Sequence, residues 1–414
     1  MMNYKKLLLD RLLDKYEKSR SYTGQTVSNR RILLKLLKGD FPEYNVEKTE
    51  IRETINSVIQ EYAAKELVAY SWLKHEKDNI IEKVWLRLDF LGKAYSEICR
   101  TPKGDIVGDI LDMVLETQKK IKSEWIGKYL SDLRAGIEQK RSARPFLPDD
   151  AGYAQALLTA LESIDKIGQE ECLERVFSQK CFGDSKFFEK TIRKKVAVII
   201  KKYLSHNSSE MECLTDDEAL CSVGIVKAPE LFDFCGSLTA EMHNQRFDFS
   251  PFIYGATINA KTAAGMKIIN FDSVKRILFI ENKANYLDYI NKREPHELIV
   301  YHGGFYSPAK GNFFRKLHQA GLNAGVKFLH WSDIDLGGFH IFVRLRENII
   351  PELEPYLMDE EAYALKAQMG MSFDSGYALL LEELLEKPEY KIFHTVIKLM
   401  LDKRLRIEQE VFIY

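Results

Sequence analysis

Three acidic residues directly follow apolar runs that have the composition of buried strands. Glu281 follows the run Arg276–Ile280, and Asp333 and Asp335 follow the run Lys327–Trp331. In an extended segment, residues i and i+2 point to the same face, so the two aspartates are expected to project together. Clustered carboxylates repel one another unless a cation lies among them, and a set of oxygen ligands favours Mg²⁺ or Mn²⁺. Such a metal can bridge a scissile phosphate and lower the pKa of a bound water, which predicts phosphodiester chemistry at these acids.

The elements around the acids predict a parallel sheet. A third apolar run, Glu297–Tyr301, ends at His302-Gly303-Gly304, and a helical pattern follows each run, at residues 285–291, 312–320 and 339–346. Strands that alternate with helices are typical of parallel sheets with crossover connections. Ligands bind beyond the carboxyl ends of such strands, so the three acids are expected at one edge. Gly337 and Gly338 allow a tight turn into a helix whose N–H groups face that edge.

The three acids also partly fit a helix N-cap and the Asp-x-Asp pairs of other enzyme classes. A single aspartate after a strand is most often a helix N-cap, which suits Asp333 or Asp335 but does not explain both together with Glu281. An Asp-x-Asp pair also occurs in haloacid-dehalogenase phosphatases and in many glycosyltransferases. The phosphatase pair normally follows the first strand and precedes Thr or Val, whereas here it follows a late strand and precedes Leu-Gly-Gly. Order and spacing therefore favour the three-acid site.

Further polar residues flank the predicted site. His302 follows a strand end directly and is the best candidate for a general acid or a DNA contact. His330 and His340 adjoin apolar strand and helix positions, which favours packing roles. Glu408 and Glu410 could reach the site from a later helix, although a solvated helix end is the default interpretation.

The first hundred residues have the element order of a winged helix. Arg30–Leu37 is predicted as a short basic helix and Thr49–Ala64 as a second helix with apolar residues at helical spacing. Leu67–Leu73 and Ile80–Leu88 are predicted as the two strands of a hairpin. Winged helices bind DNA or proteins, and the fold alone leaves that choice open. Residues 104–142 carry one long helical pattern, an arm, spacer or dimerising helix, and residues 141–150 form a predicted linker.

A basic stretch precedes the predicted sheet. Residues 151–204 have a helical pattern, and the last helix is predicted to run from Ser185 to Tyr203 with an apolar stripe. Its other faces carry seven bases and one acid. A solvated face is the common interpretation of such a run, but in a neutral chain the concentration favours contact with phosphates. The expected DNA-binding residues here are Lys186, Lys190, Arg193 and Lys194.

Composition sets the limits of these predictions. The 414 residues are enough for two or three domains, and 45% are apolar, which excludes disorder. The net charge of −1 argues against a non-specific DNA coat protein, since any nucleic-acid contact must come from local patches. The six cysteines include no CxxC pair, and no signal peptide or membrane span is evident. We therefore expect a cytoplasmic protein without a membrane contact.

Three motifs resemble those of a known family. They are Glu281–Tyr286 (ENKANY), Tyr301–Phe305 (YHGGF) and His330–Phe339 (HWSDIDLGGF). The order strand–Glu, strand–Gly, strand–DxD resembles the Toprim domain of topoisomerases and primases. More closely, the motifs resemble the JetD family, the nuclease subunits of Wadjet, a bacterial plasmid-defence system built around a condensin-like motor. Residues 182–186 (FGDSK), 223–227 (VGIVK) and 405–410 (LRIEQE) resemble further motifs of that family.

The resemblance implies an architecture similar to the A subunit of topoisomerase VI. The fold class is then α/β plus mainly-α, with a winged-helix-like domain (1–100), a long helix or arm (101–145), a helical CAP-like DNA-binding region (146–265) and a Toprim catalytic domain with a parallel sheet (266–414). Glu281, Asp333 and Asp335 would bind Mg²⁺ or Mn²⁺. Lys283, Lys310 and His302 would lie near the DNA.

The resemblance also implies partners and a reaction. A homodimer would cut closed circular plasmid DNA that is presented by an SMC-like motor with kleisin and accessory subunits. Topoisomerase VI uses a tyrosine nucleophile, and none of the 20 tyrosines here stands in a matching motif, which favours hydrolysis. The alternatives are a tyrosine transesterase, a non-catalytic DNA-binding or scaffold subunit, and a phosphotransferase that uses the DxD pair.

Overall fold

The computed structural model describes residues 3–23, 31–168, 170–204, 214–271 and 273–413. The chain forms two compact units. The first consists of Met1–Lys120 and Gly127–Leu158, and the second consists of Ile121–Ile126 and Thr159–Tyr414. No helix among the described residues is long and apolar enough to cross a membrane.

The first unit contains a three-stranded antiparallel sheet and several helices. Its strands are β1 (Leu33–Lys35), β2 (Val68–Trp72) and β3 (Ile81–Leu86), in the order β1-β3-β2. The helices of this part of the chain are Tyr4–Glu17, Arg20–Thr23, Thr49–Ala64, Leu91–Glu97, Lys103–Lys120, Glu124–Lys140 and Ala151–Ile167. The predicted helix Thr49–Ala64 and the predicted hairpin are confirmed, because their apolar residues recur at helical and strand spacing around one core.

The prediction of a helix over Arg30–Leu37 is wrong. Arg30 lies outside the described residues, Leu33–Lys35 is strand β1, and Leu36–Lys38 is a single 3₁₀ turn. Leu34 and Leu36 are buried while Lys35 between them is exposed, which is the alternation of a strand. Pairing with β3 satisfies the backbone that a helix would otherwise have satisfied internally.

Two other predicted helices are each divided. The long pattern over 104–142 forms Lys103–Lys120 and Glu124–Lys140. Between them, the Asp165 carboxylate accepts hydrogen bonds from Lys122 N (3.0 Å) and Ser123 N (2.8 Å), which compete with helix continuation. The basic helix of residues 185–203 forms Phe187–Thr191 and Arg193–Tyr203, because Ile192 leaves the helical conformation (φ −121°, ψ −10°).

The second unit is built on a six-stranded sheet of order β14-β13-β11-β12-β6-β9. Its strands are β6 (Leu231–Cys235), β9 (Ala256–Asn259), β11 (Arg276–Ile280), β12 (Glu297–Tyr301), β13 (Lys327–Trp331) and β14 (Glu354–Pro355). Strands β12, β11, β13 and β14 are parallel, and β6 and β9 extend the sheet antiparallel. The predicted parallel sheet is therefore confirmed.

Smaller elements complete the unit. The remaining strands are β4 (Cys172–Leu173), β5 (Ile225–Val226), β7 (Thr239–Met242), β8 (Gln245–Asp248), β10 (Lys267–Asn270), β15 (Met371–Ser372) and β16 (Leu405–Arg406). The remaining helices are Glu174–Phe182, Asp216–Cys221, Ala260–Gly265, Lys283–Lys292, Pro308–Asn323, Leu336–Asn348, Glu360–Lys366, Ser375–Leu385 and His394–Lys403. A 3₁₀ turn, Gln409–Phe412, follows β16.

The region 146–265 is less helical than predicted. It is helical as far as Tyr203 and again in Asp216–Cys221, but residues 225–259 contain strands β5 to β9. These short strands do not show a regular alternation of buried and exposed residues, because β8 is exposed throughout and β6 ends in two consecutive buried residues. The period-2 signal that identifies strands is therefore weak in this stretch.

Strand β11 lies in the centre of the sheet. Four consecutive side chains, Ile277 to Ile280, are 0% exposed, as expected for a strand buried on both faces. The helices that follow β11, β12 and β13 were each predicted, and the structure extends them to Lys283–Lys292, Pro308–Asn323 and Leu336–Asn348. The fold therefore gives the residues after β11 and β13 a rigid support.

Candidate active site

The three predicted acids lie at one edge of the sheet. Strands β11 and β13 are parallel neighbours, and Ile280 is in register with Trp331. Glu281 follows the first strand, and its backbone N–H donates to the Trp331 carbonyl (2.9 Å). Because both strands end at the same level, Glu281 and Asp333 extend from adjacent positions at the carboxyl edge.

The charges of the acids are strongly coupled. Burial, followed by the nearby Asp333 and Asp335 carboxylates, raises the pKa of Glu281 to about 8. Burial and the Asp335 carboxylate raise the pKa of Asp333 to about 7. In the part of the chain that the structure describes, the buried Oε2 of Glu281 has no hydrogen-bond partner. Repulsion between unneutralised carboxylates is the condition that a bound cation relieves.

Asp335 combines two of the interpretations considered above. Its carboxylate caps the helix Leu336–Asn348 by accepting from Gly338 N (2.8 Å). Burial raises its pKa, and Arg406, 3.9 Å away, opposes that shift. A Cβ on Gly338 would clash with the Asp333 carbonyl and would lie 2.7 Å from Ser332 Oγ, so this turn requires glycine. The helix cap thus fixes one carboxylate of the site.

The segment of residues 405–410 packs against the sheet edge that carries the acids. Its residue Gln409 was not predicted from the sequence. Gln409 is fully buried and its backbone N–H donates to Asp333 Oδ1 (2.6 Å). The neighbouring Glu410 accepts from Asn282 Nδ2, so it lies beside the site and is not the solvated helix end that was the default interpretation. Glu408 is exposed, but its charge also raises the pKa of Asp333. The motif of residues 405–410 contains Gln409, but nothing in the local sequence indicates that this side chain, rather than its two glutamate neighbours, reaches the strand ends.

The residues present suit a hard divalent cation. The donors are carboxylate oxygens, the type that Mg²⁺ and Mn²⁺ prefer, and one of them is buried without a partner. Among the described residues, no three Asp, Glu, His or Cys side chains are already arranged as a ligand set. Binding would therefore require Glu281 or one of the aspartates to turn toward the others.

The three histidines lie beneath the edge and not on it. His302, His330 and His340 are each 0% exposed. The His302 ring stacks on Phe314, its Nδ1 contacts the Gly303 carbonyl, and burial holds its pKa well below the ordinary value. His302 therefore has no surface for a DNA contact in this structure, and all three side chains pack in the core.

The two predicted lysines occupy different environments. Lys310 is buried, and its Nζ donates to the His302 carbonyl (3.1 Å) and lies 3.8 Å from Glu230. It supports the β12 end from within. Lys283 is exposed, pairs with Asp233 (2.6 Å), and places its Nζ over the Tyr301 ring. Of the two, Lys283 is the one that a DNA phosphate can reach.

The basic stretch divides in the same way. Lys186, Lys190 and Lys194 are exposed. Arg193 is mostly buried and bonds to Glu174 (3.1 Å) and to Asp217. Arg193 therefore ties the helix Arg193–Tyr203 to its neighbours, whereas the three lysines remain available to a ligand.

Fold and site together define the class: an α/β protein that carries three partly buried carboxylates close together at the carboxyl edge of a parallel sheet. Residues 238–413, which include all three acids, match the family model for "Wadjet protein JetD, C-terminal". Wadjet protein JetD of Bacillus cereus (strain Q1) is 31% identical over 415 aligned residues, which cover 100% of this chain and 99% of that protein. The chain therefore belongs to the JetD family of Wadjet proteins.

Proposed function

We propose that this protein is a metal-dependent DNA endonuclease that hydrolyses phosphodiester bonds. The observation that carries the proposal is that Glu281, Asp333 and Asp335 lie together at the ends of adjacent parallel strands. Burial raises the pKa of all three acids, and neighbouring carboxylates raise the pKa of Glu281 and Asp333 further. Ionised carboxylates that lie close together destabilise a fold, and pKa shifts of this kind cluster at functional sites.

The three carboxylates would hold Mg²⁺ or Mn²⁺. When bound, the ion would supply Lewis-acid stabilisation of the phosphate oxygens and a nucleophile at neutral pH. Asp333 is oriented for this role by Gln409 N, and Asp335 is oriented by Gly338 N. Glu281 has an oxygen without a partner among the described residues and supplies the ligand with most freedom to turn.

Other parts of the chain would bind and position the DNA. We assign the region of residues 266–414 to a Toprim domain, supported by the order β13-β11-β12 and by the positions of the acids. The helix Thr49–Ala64 followed by the hairpin β2–β3 supports a winged helix. Lys186, Lys190, Lys194 and Lys283, which are exposed, would contact phosphates.

Family membership supports a role in Wadjet. We propose that the protein acts as a homodimer on closed circular plasmid DNA that an SMC-like motor presents with its kleisin and accessory subunits. Two copies would supply one site for each strand of a duplex. The net charge of −1 is consistent with delivery of the DNA by partners, since a global basic field is absent.

The test is cleavage of supercoiled plasmid by purified protein with Mn²⁺ or Mg²⁺. Asp333→Asn and Glu281→Gln preserve shape and remove charge, and each is expected to lower the cleavage rate about a thousandfold or more. Glu352→Gln is the matched control, because Glu352 is exposed and pairs with His318 away from the acids. If the wild type is inactive alone, the assay is repeated with the motor complex and ATP. Cleavage that survives both substitutions refutes the assignment.

The same assay separates the alternatives. A tyrosine transesterase would leave protein covalently attached to DNA after denaturation, whereas hydrolysis leaves free ends. The hydroxyl of Tyr377 lies beside the site but is engaged with Leu336 N (2.8 Å), and burial raises its pKa, so it is poorly suited to attack. DNA binding without cleavage, even with partners present, would favour a scaffold role.

A further inference from the structure

A buried glutamine connects the two strand ends that carry the acids. The side chain of Gln409 is 0% exposed. Its Oε1 accepts a hydrogen bond from Asn282 N (2.9 Å), directly after Glu281, and its Nε2 donates to the Trp331 carbonyl (3.0 Å), at the end of β13. One carboxamide therefore serves as acceptor to one strand end and as donor to the other. An ionised glutamate could not donate and an apolar residue could do neither, so an amide suits the position in a way that is independent of pH.

The backbone of Gln409 adds two further hydrogen bonds at the same place. Its N–H donates to Asp333 Oδ1 (2.6 Å), and its carbonyl accepts from the buried Asn285 Nδ2 (2.7 Å). Asn285 lies on the helix Lys283–Lys292, which begins immediately after the Glu281 strand end. The residue thus contacts both acid-bearing segments and one carboxylate directly.

The neighbours of Gln409 fix where it stands. Ile334, between the two aspartates, forms an antiparallel bridge with Ile407, with backbone bonds of 2.9 Å and 3.2 Å. Both isoleucines are buried. The segment of residues 405–410 is therefore in register with the DxD turn, and a change at residue 409 is transmitted to the acids through short, direct contacts.

We propose that Gln409 is a positioning residue that sets the separation and orientation of Glu281 and Asp333 for cation binding. The inference rests on the proposed function, since it assigns the purpose of this contact to the metal site. Three carboxylates that repel one another tend to move apart, and the carboxamide opposes that movement by joining their backbones. Groups that orient metal ligands typically change metal affinity 10- to 100-fold when they are removed.

The experiment measures Mn²⁺ affinity by electron paramagnetic resonance on the full chain, with Gln409→Met beside the wild type. Methionine has a similar volume and length but cannot make either side-chain hydrogen bond. We expect Mn²⁺ affinity to fall about 10-fold or more, and kcat for plasmid cleavage to fall with KM unchanged. Tyr363→Phe is the matched control: it removes a 3.0 Å bond to the Leu405 carbonyl, loosening the same segment without touching the acids. Its Mn²⁺ affinity should change less than about threefold.

The outcomes are distinguishable. Wild-type Mn²⁺ binding that Asp333→Asn does not weaken would overturn the proposed function itself. Asp333-dependent Mn²⁺ binding with an unchanged affinity in Gln409→Met would overturn only the role of Gln409. The same conclusion would follow if Tyr363→Phe and Gln409→Met had equal thermal midpoints and lost Mn²⁺ affinity equally. If Gln409→Met does not fold, Gln409→Asn keeps the carboxamide without adding charge but is one methylene shorter, so it cannot bond to both Asn282 N and the Trp331 carbonyl, and the same loss of affinity is expected.

Discussion

Two clusters of three acidic residues in this protein differ in whether a basic side chain of the chain lies close to them. In the first unit, Asp10, Asp14 and Glu17 lie on one helix and surround Arg100, at 3.2, 2.8 and 2.7 Å. In the second unit, Arg406 is the cation that the structure places near the three acids in its described part, and its guanidinium is 3.9 Å from Asp335. The first cluster is therefore paired closely with a cation of the chain, and the second is not.

The comparison indicates which of the two acidic clusters is suited to bind a ligand. A cluster that is paired with an internal cation needs no ligand to hold it together. Carboxylates that lie close together without such a cation destabilise the fold when they are ionised, and an external cation or substrate can relieve that destabilisation. The arrangement of the charges distinguishes the two clusters, since each contains three acids.

The largest expected effect comes from removing the internal cation. In Arg100→Met, three carboxylates spaced at i, i+4 and i+7 on the helix Tyr4–Glu17 lose their partner, and we expect stability to fall by about 3 kcal/mol. The measurement is the urea midpoint followed by circular dichroism. Arg100→Lys keeps the charge and should lose about 1 kcal/mol. An unchanged midpoint in Arg100→Met would show that the acids are solvated, and the comparison would fail.

The opposite sign is expected at the second cluster. Asp333→Asn preserves the acceptor for Gln409 N and removes a repelled charge, so in chelator at pH 8 we expect it to stabilise the fold by about 2 kcal/mol. The pKa of this acid is raised from 3.8 to about 7, so its contribution to stability is full below pH 3.8 and is lost as the pH rises through 7. The advantage of the variant should therefore grow between pH 4 and 8.

Adding Mn²⁺ provides the control for that prediction. The wild type should gain stability with Mn²⁺ in proportion to occupancy, whereas Asp333→Asn should gain much less. The two stability curves would then converge or cross. A variant that is less stable than the wild type in chelator at every pH would mean that the ionised carboxylate is satisfied in the fold, and the comparison between the clusters would lose its basis.

His330 separates the effect of burial from that of like charges. Burial alone lowers its pKa to about 3, and among the described residues neither ring nitrogen has a hydrogen-bond partner. The unfolded chain takes up a proton below pH 6.5 and the folded chain does not, so the stabilising contribution is present above pH 6.5 and is lost as the pH falls toward 3. We expect His330→Phe to reduce the loss of stability between pH 6.5 and 5 by about 1–2 kcal/mol. Parallel pH curves for the two proteins would contradict this.

The acid-bearing edge could be predicted because its signals are local. The strands Arg276–Ile280, Glu297–Tyr301 and Lys327–Trp331 have the predicted bounds, since each is a short apolar run that ends at a polar residue. Parallel pairing then brings their ends together without further information. The acids of the site follow from the strands that precede them.

The missed features depend on contacts between distant residues. Gln409 accepts a hydrogen bond from Asn282 N, 127 residues earlier, and no local sequence pattern predicts that contact. The sequence around Lys310 gives no sign that this lysine is buried. In the structure it is buried, and its Nζ contacts Glu230 and the His302 carbonyl. Strand β1 was predicted as a helix because its short apolar run is ambiguous until β3 pairs with it. Tertiary context decides each of these cases.

The smallest expected effect extends the same comparison to basic residues. Lys190 and Lys194 are exposed, whereas Arg193 is bonded to Glu174 and Asp217. If the lysines contact phosphates, Lys190→Gln with Lys194→Gln should weaken plasmid binding about tenfold in 0.1 M salt and reduce the salt slope by about 2. Fluorescence anisotropy with labelled duplex in chelator measures both quantities without cleavage.

Arg193→Gln is the informative counterpart to that double variant. Its charge is already paired with Glu174 and Asp217, so we expect the salt slope to stay unchanged. The urea midpoint should fall, because the buried Glu174 loses this cation, whereas Asp217 keeps Lys227. Lys398→Gln, at an exposed position on the helix His394–Lys403, controls for a simple change of net charge. A reduced slope in Arg193→Gln, or an equal reduction in Lys398→Gln, would show that neutralisation within the fold does not decide which charges are available to a ligand.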